Sequence, residues 1–129
     1  MIETTGRVSI EVFHGIDANK TLSLTLDEAL VTTTDNNIKF LPAGTPLGVV
    51  GGAKVIDDPS LKVGPVNTAD AQVILRRDVY LDDGDATVTG VYGAVAYTDR
   101  INAACQEVFA ANLAAAAKTA LTDMRFRRS

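Results

Sequence analysis

Up to Tyr97 the apolar side chains of this chain mostly recur at every second position, and beyond Asp99 they recur at every third or fourth. That change of period constrains the fold more than any other feature. A strand turns alternate residues to one face, whereas a helix returns to the same face after 3.6 residues. Val8, Ile10 and Val12 alternate with Arg7, Ser9 and Glu11, so a first strand or an extended arm runs over 7–13 until "HGIDANKT" interrupts it. Leu22, Leu24 and Leu26 alternate with Thr21, Ser23 and Thr25 in a second strand of the same kind.

Turn residues place the next elements. "TTTDNNIKF" has the Asp and Asn content of a tight turn and predicts a hairpin pairing 30–33 with 38–41. Residues 53–70 mix short apolar pieces with "DDPS", "VGPV" and "NTAD" and read as irregular strands and turns. Strands at 73–75 and 79–81 flank "RRD", and "DDGD" supplies a turn in which Gly84 is free to take positive φ. "ATVTGVYGAVAY" is a long β stretch with bends expected at Gly90 and Gly93.

From Asp99 onward, Ile101, Cys105, Val108, Phe109, Leu113, Ala117, Leu121 and Met124 form one apolar stripe, which predicts a single amphipathic helix capped by Thr98 or Asp99. "AANLAAAAKTAL" strengthens that expectation, alanine being the best helix former. Met124 and Phe126 then alternate with Arg125 and Arg127, the pattern of a short edge strand. Strands first and one late Ala-rich helix give a mainly β or α+β domain.

Composition narrows the function classes. At 129 residues the chain is of single-domain size. Its net charge of −4 disfavours nucleic acid as the main partner, because polyanion binding relies on clustered Lys and Arg. A single cysteine, Cys105, excludes an intrachain disulfide and a Cys-based metal knuckle. No apolar run is long enough for a membrane span and no leader pattern opens the chain, so it reads as soluble and unexported.

Candidate chemistry weakens on inspection. "LPAGTPLGVVGG" is glycine-rich and is followed by Lys54, but a phosphate-binding loop needs Ser or Thr directly after the Lys and a helix behind it. The loop reads as a turn. "DDGD" lacks the spacing of a calcium loop, and adjacent Asp57 and Asp58 fit a solvated turn. His14 is the sole histidine, and Cys105 falls on the apolar stripe, where a thiol is normally buried and inert. No catalytic residue, cofactor or metal is therefore expected. Arg125, Arg127 and Arg128 are the one basic cluster and a candidate partner contact.

"AGTPLG" followed by "ADAQVILRRDVYLDDGDATVTGVYGAVAYTDRI" resembles the head decoration, or cement, proteins of tailed phages, the group typified by the decoration protein of phage lambda. The likeness covers roughly residues 22 to 101 and consists of turns and apolar positions. It implies a β-clip-like bent β-ribbon barrel, a homotrimer, and a place on the outside of a capsid after production in the host cytoplasm. The major capsid protein is the implied partner, with no membrane, nucleic acid or small-molecule substrate. Residues 1–13 then form an extended arm on a single domain of 14–129, and Arg7, Val8, Ile10 and Val12 are the expected capsid-binding positions. The alternatives are another virion component, such as a head–tail joining or tail-tube protein, and a nucleotide hydrolase built on a β-clip scaffold. The long C-terminal helix exceeds what the lambda type leads one to expect.

Overall fold

The computed structural model describes residues 11–16, 20–55, 57–58, 60–82 and 84–128. Eleven strands are found among them: β1 (Phe13–Ile16), β2 (Thr21–Leu26), β3 (Thr34–Asp35), β4 (Ile38–Leu41), β5 (Pro46–Gly48), β6 (Lys62–Pro65), β7 (Ala71–Leu75), β8 (Val79–Leu81), β9 (Ala86–Val91), β10 (Ala94–Tyr97) and β11 (Met124–Arg127). Two helices, α1 (Thr98–Phe109) and α2 (Ala115–Ala120), lie between β10 and β11. The chain is mainly β with its helical part near the C-terminus, as its periodicity predicts.

Five strands close into a barrel in the order β2-β6-β5-β7-β9. The longest ladder is antiparallel, from Thr21 opposite Val91 to Leu26 opposite Ala86, and a short parallel pairing of Thr25 and Leu26 with Lys62 and Val63 closes the ring. Closure leaves the barrel without an open edge. The alternating residues of β2 and β9 send Leu24, Leu26 and Val88 inward, where they meet Leu47, Val63, Val73 and Leu75 in one buried cluster.

In β7 the apolar run of Val73, Ile74 and Leu75 is buried on both sides. Val73 and Leu75 face the barrel interior, while Ile74 joins a second cluster with Val12, Phe13, Val91, Ala96, Ile101, Cys105, Leu121 and Met124. That second core lies under the sheet β1-β10-β11 and against α1. A third sheet, β3-β4-β8, carries the hairpin predicted from "TTTDNN". Asn36 and Asn37 both take positive φ, 54° and 68°, the conformation that a two-residue hairpin turn requires. Its first strand begins only at Thr34, because Glu28–Leu30 forms a 3-10 turn capped by the Asp27 side chain.

Three local expectations are corrected. Gly90 does not bend the chain: it stays in β9, paired with Leu22 and Leu75, and a Cβ there would lie 2.6 Å from Val73 and 2.7 Å from Leu24. The glycine gives room for two core side chains, and the break comes at 92–93, where Gly93 is the other expected bend. Part of "HGIDANKT" is also strand, since β1 runs to Ile16 against β10.

The third correction concerns the alanine-rich segment, which is two helices rather than one. Ala110 is left-handed at φ 57°, and α2 starts only at Ala115. Asn and Gln side chains hold the break open. Asn102 Oδ1 accepts from the Leu113 N–H at 3.0 Å, and Asn67 Oδ1 accepts from the Ala114 N–H at 2.8 Å. Asn67 Nδ2 donates to the Asn112 carbonyl at 3.0 Å, and Gln106 Nε2 donates to Asn112 Oδ1 at 3.0 Å. Alanine's helix preference is under about 1 kcal/mol per residue, so several such bonds and the burial of Ala117 against Val66 and Ala71 outweigh it. The break lets the chain turn back, and β11 lies parallel to β10 with Ala94 opposite Met124. A parallel pair needs this kind of long crossover.

Leu47 is fully buried at the centre of the barrel. Leu47→Ala should lower the unfolding free energy by about 2–5 kcal/mol, read from the urea midpoint at unchanged slope. Asn67→Ala, which orphans the Ala114 N–H and the Asn112 carbonyl, should cost less, about 1–2 kcal/mol.

Candidate binding surface

The surface with the most concentrated chemistry is the outer side of the sheet β1-β10-β11 and the chain leading into it. Alternation along β10 and β11 turns Ala96, Met124 and Phe126 toward the second core and leaves Val95, Arg125 and Arg127 on the outer side. Register places Gly15, Val95 and Arg125 in one row and Tyr97 beside Arg127 in the next. This is the edge strand that the "MRFR" alternation predicts.

Residues 11–13 enter the sheet through a set of fixed contacts. The Tyr97 N–H donates to the Val12 carbonyl at 2.8 Å, and Arg100 Nη1 donates to the Glu11 carbonyl at 2.6 Å. The Arg100 guanidinium also lies 4.4 Å from the centre of the Tyr97 ring, within cation–π range. The Tyr97 hydroxyl in turn shares a 2.9 Å hydrogen bond with His14 Nδ1. Glu11 Oε1 accepts from the Phe13 N–H at 3.1 Å. One helix-terminal arginine, one tyrosine and one histidine thus pin the root of the N-terminal segment.

Of the sequence-predicted arm positions, Arg7, Val8 and Ile10 lie outside the described residues. Val12 belongs to the body of the domain: it is 1% exposed and packs in the second core, so it offers no surface to a partner. The Pro42–Thr45 turn of the glycine-rich loop is built against it. Gly44, at φ 101°, leaves space that a Cβ would fill at 3.1 Å from Val12 and 3.3 Å from Ala104. The Thr45 hydroxyl donates to the Pro42 carbonyl, and the Ala43 N–H donates to Asp78. This loop turns the chain, as expected.

The other candidates keep their plain reading. In "DDGD", Gly84 takes φ 94°, and Asp85 pairs with Lys62 at 2.7 Å while accepting from the Glu28 N–H. Lys62 and that backbone bond hold the Asp85 carboxyl below its ordinary range. Asp58 is likewise lowered, by the Ser60 hydroxyl and N–H that bond to it in a turn. Among the described residues no three His, Cys, Asp or Glu gather as a metal site. A cleft of about 170 Å³ beside Lys54, Gln72 and Tyr92 holds one carboxylate, Asp123, which pairs with Lys20 at 3.6 Å. Helix α1 has no side-chain cap; Tyr97 occupies that position, because Thr98 and Asp99 fall inside the first turn.

Cys105 and His14 are not brought together as a pair. His14 is exposed on Tyr97, and Cys105 is fully buried in the second core. Burial pushes the Cys105 thiol up to about 12, so it carries no reactive thiolate near neutrality.

Six of the chain's twelve Lys and Arg residues, Lys20, Arg100, Lys118, Arg125, Arg127 and Arg128, surround this one sheet, although the whole chain is acidic. Lys118, on α2, sits 5.1 Å from the Phe126 ring of β11, on the inner side of the sheet. Acidic side chains collect at the far end of the β2–β9 ladder, where Asp27, Glu28 and Asp85 meet. Arg125, Arg127 and Arg128 were legible as a cluster, whereas the Tyr97, Arg100 and His14 contacts were not, since residues 83 positions apart meet only through the fold. No family model, curated protein or solved structure matches the chain.

Arg100→Ala should speed amide exchange at 11–14 with little change in global stability, because it frees the root and leaves both cores intact. For Cys105 the folded thiol titrates above its ordinary value of 9.0, so stability from the neutral thiol is complete below that pH and is lost as pH rises toward about 12. Wild type should therefore lose stability relative to Cys105→Ala between those two pH values, measured by thermal midpoint.

Proposed function

We propose that this chain is a capsid decoration protein that binds the outer surface of a phage head and stabilises the expanded shell. The observation that carries this reading is the placement of the resembling pieces. "AGTPLG" ends in β5, "ADAQVIL" forms β7, and "DATVTGV" forms β9, so the pieces are consecutive staves of one closed barrel rather than scattered loops. A barrel of this kind is a rigid block, and beside it residues 11 and 12 are held by Arg100 and Tyr97.

The mechanism is adhesion. An extended segment can add a strand to the open edge of a capsid sheet, with main-chain hydrogen bonds supplying affinity and alternate side chains supplying specificity. In the proposed arm Val8 and Ile10 supply apolar positions and Arg7 a positive charge. Ordering it costs about 1–2 kcal/mol per residue, so one arm binds weakly. A homotrimer brings three arms to one site, and tethering raises apparent affinity by about 10² to 10⁴. A body that binds the assembled shell but not its free subunits stabilises the shell by mass action.

Deletion of residues 1–11 should leave the fold intact and abolish binding to expanded shells in a co-sedimentation assay. Full binding by that truncation would discard the arm mechanism. In solution the free protein should run at three times the 13.6 kDa chain mass by light scattering.

A further inference from the structure

The outer side of β1-β10-β11 has the features of a second contact, separate from the arm. Among the described residues β11 is paired on one side only, to β10, which leaves its other backbone edge open to a further strand. On the face of the same sheet lies a groove of about 370 Å³, floored by Gly15, Gly93, Ala94 and Val95 and walled by Lys20, Asp123 and Arg125. Among the described residues no carboxylate pairs with Arg125, Arg127 or Arg128. The nearest acidic group, Asp123, is occupied by Lys20.

We infer that this edge receives an extended, acidic segment of a partner protein, which pairs with β11 and sets its carboxylates against Arg125 and Arg127. Charge complementarity and the open backbone edge select that occupant together. Guanidinium groups on an exposed edge repel basic or like edges and so limit self-pairing, while the same groups favour an acidic strand. A nucleic acid would meet the charges but leave the backbone N–H and C=O groups of β11 without strand partners. The root of the N-terminal segment is bonded to Tyr97, which stands opposite Arg127 in the register, so both contacts can engage one partner surface. The inference takes the partner's location from the decoration reading, but its test uses the free protein and no shell, so the two can fail separately.

Gly15 lies on β1, two strands away from that edge, and a Cβ built there meets nothing within 4 Å, so Gly15→Val serves as a control that fills the groove on the sheet face and leaves the β11 edge free. The experiment titrates the full chain with a synthetic decapeptide of alternating Thr and Glu and follows backbone amide shifts. Shifts should concentrate at 94–97 and 124–127 and weaken as salt is raised. Affinity should fall at least tenfold in the double variant Arg125→Glu/Arg127→Glu and stay the same in Gly15→Val, each with an unchanged thermal midpoint. Unaltered binding by the double variant, loss of binding in Gly15→Val, equal binding of a Thr/Lys decapeptide, or shifts located elsewhere would overturn the inference. A single-stranded oligonucleotide that binds this face in preference to the peptide would also overturn it, as would self-association of the chain that the double reversal abolishes.

Discussion

The two-sided burial of β7 is the constraint on which the rest of the molecule depends. Val73 and Leu75 complete the barrel interior, and Ile74, between them in sequence, completes the second core. With no Trp and few other aromatic residues, both cores rely mainly on close interlocking of Val, Leu and Ile, with Phe13 the buried aromatic of the second. Gly90 is part of the same constraint, since any side chain there would collide with Leu24 and Val73. A shared strand couples the two cores mechanically, and the outer sheet is thereby held in a fixed position relative to the barrel.

That coupling bears on binding. The second core carries Val12 and Phe13 on one side of β10 and Met124 on the other, so the entry of the N-terminal segment and the basic edge strand rest on one packed layer. A binding segment anchored on a rigid layer loses less freedom on docking than one on a mobile loop. The buried, neutral Cys105 fits the same picture: it is a packing group beneath the surface and takes no part in chemistry there.

Much of the barrel could be read in advance because its signals are local. Alternation in "TLSLTL", the Asn pair between β3 and β4, and Gly84 in its turn each act within a few residues, and each reappears in the fold. The edge strand at "MRFR" was legible for the same reason. The alanine run misled because local propensity there is real but small, while the break is held by Asn102 from α1's own first turns and by Asn67, which arrives from elsewhere in the chain. Val12 misled differently. Its alternation with Glu11 shows a strand-like face, and alternation alone cannot say whether that face meets the chain's own core or a partner's.

By itself the sequence determined where strands give way to helix, which turns are tight, and that charge at the C-terminal end is basic on an acidic chain. These follow from periodicity, from backbone preferences of single residues, and from counting. Only the tertiary structure decided that the ladder closes into a barrel, that Arg100 reaches the Glu11 carbonyl, and that basic side chains from four separate stretches share one sheet. Those outcomes depend on which distant strands pair and in what register, and pairing energy is spread over many contacts that no short window of residues contains.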